Sequence, residues 1–404
     1  MDKQLKPQLR FPEFTSSWEN KYIKSIAKVV GGGTPSTTND EYWNGEINWF
    51  TPTEIKCNVV SESNRKITEL GLNNSSATIL PKGTILLTTR ATIGEVAIAQ
   101  EECTTNQGFQ SLIVNKSNSN QFVFDLIKVY RNELYKRANG STFKEISKKE
   151  IEKINILIPQ LPEQQKIASF LSDVDAKITQ LTKKKDLLEQ YKKGIMQKIF
   201  SQKLRFKDDN GNAFPKWEIK KLGNVFSSFK GKGIPKGDVI TVGNYKCVLY
   251  GELYTTYNEV INKVVSSTNS EDGLRSKKGD LLIPSSTTTT GIDLANVTAL
   301  NFENILLGGD IIVMRGKKEI NNVFYAYYLS NFKKHQIASR AQGITIVHIY
   351  FNSIKDLEID VPVVEEQTKI ANFLSDIDVK IEALNTKIEH SKSFKKGLLQ
   401  QMFV

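Results

Sequence analysis

With 404 residues and 39% hydrophobic content, the chain is long enough to bury more than one core, and ordinary domain sizes favour two or more domains. No apolar run reaches the roughly 18 residues that span a bilayer, and the opening MDKQLKPQLR lacks the apolar segment of a signal peptide, so the reading is a cytoplasmic protein with no membrane partner. Lys and Arg outnumber Asp and Glu by 55 to 44, which favours a polyanionic partner, while three scattered cysteines (Cys57, Cys103, Cys247) argue against a disulfide framework or a CxxC metal site.

In chain order, residues 1–160 come first. Short apolar or β-branched runs at 84–89 and 95–99, punctuated by Gly and Asn/Ser/Thr clusters, predict strands, and a helix is expected over 121–138. The strands are not separated by regular helices, so this half reads as α+β with a mixed or antiparallel sheet. Residues 161–203 follow as a long helix. Ile167, Val174, Leu181, Leu188 and Ile195 recur every seven residues, and Leu171, Ile178 and Ile199 fill a second heptad position that Lys185 and Lys192 interrupt. Residues 204–361 form a second α+β region, with strands expected at 280–283 and 310–314 and a helix at 322–337. Residues 362–404 close the chain with another helix, whose seam is Ile370, Ile377, Leu384 and Leu398 with Leu374, Ile381, Ile388 and Met402, broken by Ser391 and Lys395. A proline stands at or just before each helix start, Pro162 and Pro362, where its missing N–H does no harm.

The two helical segments are copies of each other. Residues 163–200 and 366–403 align without a gap at an offset of 203, with 19 of 38 positions identical. A repeat of about half the chain is too long for a solenoid unit, whose periods run roughly 20 to 50 residues, so it marks a duplicated domain plus helix. The globular halves match only at their edges: Leu9-Arg10-Phe11 with Leu204-Arg205-Phe206, Trp18-Glu19 with Trp217-Glu218, Gly140 with Gly343, and Pro159 with Pro362. Helices that keep their sequence between domains that do not suggest one scaffold carrying two separately tuned surfaces.

Groups for catalysis are sparse. His335, His348 and His390 fall in no HExxH or HxxxH pattern and near no cysteine, which argues against zinc. Gly31-Gly-Gly-Thr-Pro35 and the 231–237 stretch lack the G-x-x-x-x-G-K-[ST] spacing, and turns are the favoured reading. Groups for reading bases are more plentiful. Thr88, Thr89, Arg90 and Thr92 follow one strand-like run, and Asn106, Gln107 and Gln110 follow another. Arg can pair bidentately with guanine, Asn or Gln with adenine, and Thr offers a hydroxyl and a methyl. Lys144 and Lys148 lie in the stretch after the predicted helix. In the second half, Ser285, Ser286 and Thr287 occupy the place after the strand at 280–283, and Arg340 and Gln342 precede Gly343. For each of these residues a solvated loop is the competing reading. Lys177, Lys183, Lys184, Lys185, Lys192 and Lys193 are assigned to the water-facing side of the first helix or to a partner's surface.

The segments LPEQQKIASFLSDVDAKI at 161–178 and EEQTKIANFLSDIDVKI at 365–381, with the Lys-Lys-Gly closings at 192–194 and 395–397, resemble the specificity (S) subunit of type I restriction-modification systems. Lys82-Gly-Thr-Ile-Leu-Leu87, Ala91-Thr-Ile-Gly94 and Asn106-Gln-Gly-Phe109 support the match, although the second half lacks a clear Asn-Gln-Gly-Phe. The resemblance implies two target recognition domains alternating with two long helices that pack as an antiparallel coiled coil, related by a pseudo-twofold axis. It also implies a noncatalytic reader of a bipartite double-stranded DNA target that recruits modification (methyltransferase) subunits, two of them, and restriction/translocase subunits. S-adenosylmethionine, ATP and Mg would belong to those partners, with no cofactor in this chain. Half-sites read from one side of a duplex lie on the order of 34 Å apart, within the span of about 57 Å expected of 38 helical residues. Phe170, Tyr191, Phe373 and Phe394 are candidates for docking modification subunits; completing the intramolecular helix pair is the competing reading. The competing functions are a coiled-coil interaction scaffold that binds no DNA and a self-contained enzyme with an unrecognised site.

Overall fold

The computed structural model describes residues 6–140 and 144–404. The chain divides into two compact units, 1–182 with 386–404, and 183–385. Each unit holds one α+β domain and a stretch of both long helices, the central helix Leu161–Phe200 and the C-terminal helix Val364–Met402. Among the described residues no helix is long and apolar enough to cross a membrane.

In the first unit a five-stranded mixed sheet runs in the order Ala27–Gly31, Gln110–Val114, Ile85–Leu87, Val96–Ala99, Val59–Val60. Only the last pair is parallel. The second unit builds its equivalent from Phe226–Lys230, Ile311–Gly316, Asp280–Pro284, Thr298–Leu300 and Val260–Ile261, again with one parallel pair at the end. The strand order is therefore duplicated through the stretch where the residues diverge. Each domain also pairs its opening strand with its closing one, Glu19–Tyr22 with Asn155–Ile158 and Glu218–Lys221 with Glu358–Val361. The expected helix over 121–138 is split at Tyr130 into Asn120–Val129 and Arg131–Arg137. Its counterpart is divided more heavily, into Asn322–Tyr327, a π-helical turn Tyr328–Phe332, and Lys334–Ala338.

Both units close by the same packing rule. In the first, Ile167, Ala168 and Leu171 from the start of the central helix are buried with Leu398, Met402 and Phe403 from the end of the chain. In the second, Met196, Ile199 and Phe200 are buried with Ile370, Ala371, Leu374 and Ile377. The start of one helix meets the end of the other, which is the antiparallel pairing expected of the two seams.

The polar interruptions of the seams have partners. Lys395 is 9% exposed and lies 2.6 Å from Asp175. Lys192 lies 2.7 Å from Asp378 and 3.4 Å from Glu259. The assignment of Lys192 to the water-facing side is thus corrected: its side chain is only 11% exposed, because a Lys at a seam position can reach the acidic residue of the opposing helix. A buried pair of this kind penalises a shifted helix register, since a slip would strand a charge. Cys57 is exposed, whereas Cys103 and Cys247 are buried as expected of small apolar side chains.

Candidate nucleic-acid interface

The edge motifs of the two halves turn out to be one anchor, built twice. Arg10 grips Glu163 with both Nε and Nη2 at 2.7 Å, and the Trp18 indole N–H donates to the same carboxylate at 3.2 Å. Arg205 and Trp217 hold Glu366 in the same way, at 3.1, 2.7 and 2.8 Å. Both carboxylates are almost wholly buried, at 2% and 0% exposure. A second repeated contact fixes the domain helices: Gln164 accepts from the Ser119 N–H and donates to the Pro159 carbonyl, as Gln367 does with Asn321 and Pro362. These contacts seat each domain on its helix.

On that seat, backbone bonds gather four loops of the first domain. The Thr89 N–H donates to the Gly108 carbonyl (2.8 Å), the Ile146 N–H to the Thr89 carbonyl (3.2 Å), and Asn139 and Glu145 exchange a pair of bonds. The Gly33 N–H donates to the Thr105 carbonyl, and the Thr34 hydroxyl donates to Gln107 Oε1 at 2.5 Å. A Cβ on Gly32 would collide with the carbonyls of Asn106 and Thr105, so this glycine serves close backbone approach, while Gly31 ends the strand Ala27–Gly31 rather than forming a turn.

The gathered loops present Arg90, Thr92, Gln107 and Lys144 to solvent. Arg90 pairs with Glu145 at 2.9 Å, and the Lys144 ammonium sits 4.3 Å from the Tyr135 ring centre. Thr88 and Thr89 are buried. The Thr88 hydroxyl donates to the Thr92 carbonyl at 2.5 Å, closing the turn that Ala91 and Gly94 make at positive φ. Asn106 is half-buried and accepts from the Gly108 N–H, so its side chain shapes the loop it stands in. Gln110 is half-buried in the sheet, and Lys148 lies in the short helix Lys148–Glu152.

The second domain repeats the backbone network with other side chains. The Ser285 N–H donates to the Asp310 carbonyl (2.8 Å), the Ile349 N–H to the Ser285 carbonyl (3.0 Å), and Gln342 and His348 exchange bonds of 2.8 and 2.7 Å. Gly308-Gly309-Asp310-Ile311 therefore stands where the first domain has Asn106-Gln107-Gly108-Phe109. The shared signal is a turn placed directly before the strand Ile311–Gly316, which residue identity alone conceals. Ser286 and His348 occupy the bridge that Arg90 and Glu145 make in the first domain. Ser285, Ser286 and Thr287 are buried, and Ser286 donates to the Asp310 carboxylate at 3.1 Å. Arg340 and Gln342 are exposed on the adjoining loop.

The four aromatic docking candidates separate into two pairs. Phe170 packs edge-on against Phe11 and Phe373 against Phe206, at 5.8 and 5.5 Å between ring centres, so these two join the globular domains to their helices. Tyr191 and Phe394 are 52% and 57% exposed. Each stands three residues before a helical glycine, Gly194 or Gly397, around which a Cβ would meet open space.

The model of the type I restriction modification DNA specificity domain matches residues 15–190 and again 215–390. The chain belongs to this family. The MjaIX specificity subunit of Methanocaldococcus jannaschii is 36% identical over 55% of this chain, and the match spans about half, 54%, of that relative's length. The putative MjaX specificity subunit of the same organism is 25% identical over 96% of this chain and 93% of its own. Among solved structures, the S subunit from M. genitalium has the same fold, with a TM-score of 0.59 over 99% of both chains at 16% identity. As a specificity subunit with two recognition domains, the chain keeps two anchors and two loop frameworks in common, and varies the side chains that those frameworks display.

Proposed function

We propose that this specificity subunit reads a bipartite double-stranded DNA target, one half-site per recognition domain, with no catalysis of its own. Within the first domain, the exposed Arg90, Thr92, Gln107 and Lys144 are the groups for base and phosphate contact; within the second, Arg340 and Gln342 take that part. The observation that carries this reading is the conserved backbone network around Thr89 and Ser285, which holds corresponding loops in place while their exposed side chains differ. A protein that must recognise two different sequences with one architecture needs that combination.

The central helix Leu161–Phe200 is the covalent link between the two readers, and its fixed number of turns would set the spacer in the target. Tyr191 and Phe394, equivalent in the repeat and both exposed, are the proposed contacts for two copies of a modification subunit. Methyl transfer, with S-adenosylmethionine, and cleavage by restriction subunits, with ATP and Mg, would then belong to the partners.

The chain should be inactive alone and should support DNA methylation once modification subunits are added. Binding should weaken steeply as salt rises, because phosphate contacts release counterions. Methylome sequencing of cells carrying the chain and its modification subunits should return two short defined half-sites separated by a spacer of constant length. Salt-insensitive or absent DNA binding would favour a protein-only scaffold. Deleting one heptad from residues 174–195 should change the spacer or abolish binding; an unchanged spacer would remove the helices from the measuring role.

A further inference from the structure

The most exposed large apolar residue of the second domain is Ile344, at 99%. It stands at the tip of the hairpin joining Gln342 to His348, where a charged or small polar residue would cost nothing in water. The hairpin is well specified. Its base is closed by the reciprocal Gln342 and His348 bonds, and the Val347–His348 strand pairs with Ser286–Thr287 in the loop framework described above. Gly343 holds φ +123°, and a Cβ there would collide with the Ile346 carbonyl, so only glycine fits beside the tip. Ile346 and Tyr350 nearby are also exposed, at 49% and 58%. Arg340 and Gln342, both exposed, lie on the arm that leads into the tip.

We infer that Ile344 is a specificity-determining residue, which packs against the 5-methyl group of a thymine in the half-site read by the second domain. This rests on the DNA-reading role proposed above. The major groove, roughly 12 Å wide, admits a two-stranded ribbon, whereas the minor groove, about 6 Å wide, does not. The thymine methyl is the apolar feature that base pairs display in the major groove, beside the guanine and adenine edges that Arg340 and Gln342 can reach. A β-branched side chain has few rotamers to lose on contact, so a rigid tip carrying isoleucine suits a methyl better than a hydrogen-bonding edge. In the first domain, residues 141–143 lie outside the described residues.

The test uses the full chain assembled with its modification subunits and the target that methylome sequencing returns. Each thymine of the second domain's half-site is replaced singly by deoxyuridine, which keeps the base pair and deletes only the methyl, and affinity is measured for the parent and for Ile344→Ala. One substitution should weaken parent binding about three- to tenfold, the size expected for one buried methyl. Ile344→Ala should weaken binding to the thymine duplex by a similar factor and lose nothing further with deoxyuridine. Its melting temperature should match the parent's, because the side chain supports no fold contact. Parent binding indifferent to every deoxyuridine, a half-site of G·C pairs only, or an Ile344→Ala variant that keeps the methyl preference would overturn the assignment and leave the DNA-reading role standing. Failure to bind any sequence selectively would bring down both.

Discussion

The two units share an anchor and a sheet order, yet differ where the long helices meet the domains. In the first, Lys395 faces Asp175 at 2.6 Å and Asp125 at 3.8 Å. In the second, the equivalent Lys192 faces Asp378 and Glu259, and the place of Asp125, six residues past the helix cap, belongs to Tyr327, which donates a 2.5 Å hydrogen bond to Asp378. Burial pushes the Tyr327 phenol up, so it remains a proton donor. Burial also pushes the Asp125 carboxyl up, against the pull of Lys395, and its Oδ1 has no hydrogen-bond partner. One lysine thus joins two carboxylates in each unit, but in the second a neutral hydroxyl stands in place of the buried Asp125 and binds the helix carboxylate as well. Duplicated scaffolds conserve the ion pair that fixes the helices and leave its surroundings free to drift.

The largest effect should come from the feature the units share. Glu163→Ala and Glu366→Ala each strip a half-buried guanidinium of its carboxylate, leaving it one backbone carbonyl, and deprive a buried indole N–H of its acceptor, and each should cost about 3–5 kcal/mol in denaturant unfolding. A cost confined to one variant would break the equivalence of the anchors. Lys395→Met and Lys192→Met should each cost about 2–3 kcal/mol, with the former larger, since Asp175 then keeps only the exposed Asn58 amide and sits beside Asp125, whereas Asp378 keeps the Tyr327 hydroxyl. Equal costs would mean that Tyr327 contributes nothing.

Asp125→Asn sharpens the comparison through pH. A carboxyl whose folded pKa is raised contributes its stability below the ordinary carboxylate range and loses it as pH rises through the raised value. Asparagine resembles the protonated acid, so the variant should match the parent in acid and exceed it by about 1 kcal/mol near neutrality. A melting-temperature difference that does not grow with pH would count against a raised Asp125. The smallest stability effect belongs to Tyr191→Ala and Phe394→Ala, within about 0.5 kcal/mol of the parent. Both should nonetheless lower copurification of modification subunits, and unimpaired copurification would move docking elsewhere.

Much of this architecture was legible beforehand. The a/d periodicity and the repeat at an offset of 203 carried the long helices and their pairing, because a helical stripe is a local property with a fixed period. The Leu-Arg-Phe and Trp-Glu edges marked residues that proved to grip Glu163 and Glu366, although nothing local says that residues some 150 apart share a carboxylate. Thr88, Thr89 and Ser285 to Thr287 looked like surface groups because they are polar and follow strands. They are buried because the loops around them supply partners for the backbone and for most of their hydroxyls.

The sequence by itself determined two α+β domains, two matched helices and a family resemblance, since composition, period and repetition are written along the chain. Only the tertiary structure decided which polar residues face water, that Lys192 and Lys395 are paired within the seams, and that Gly308 to Ile311 replaces the Asn-Gln-Gly-Phe turn. Those outcomes depend on hydrogen bonds between segments far apart in the chain, where backbone geometry can repeat after residue identity has been lost.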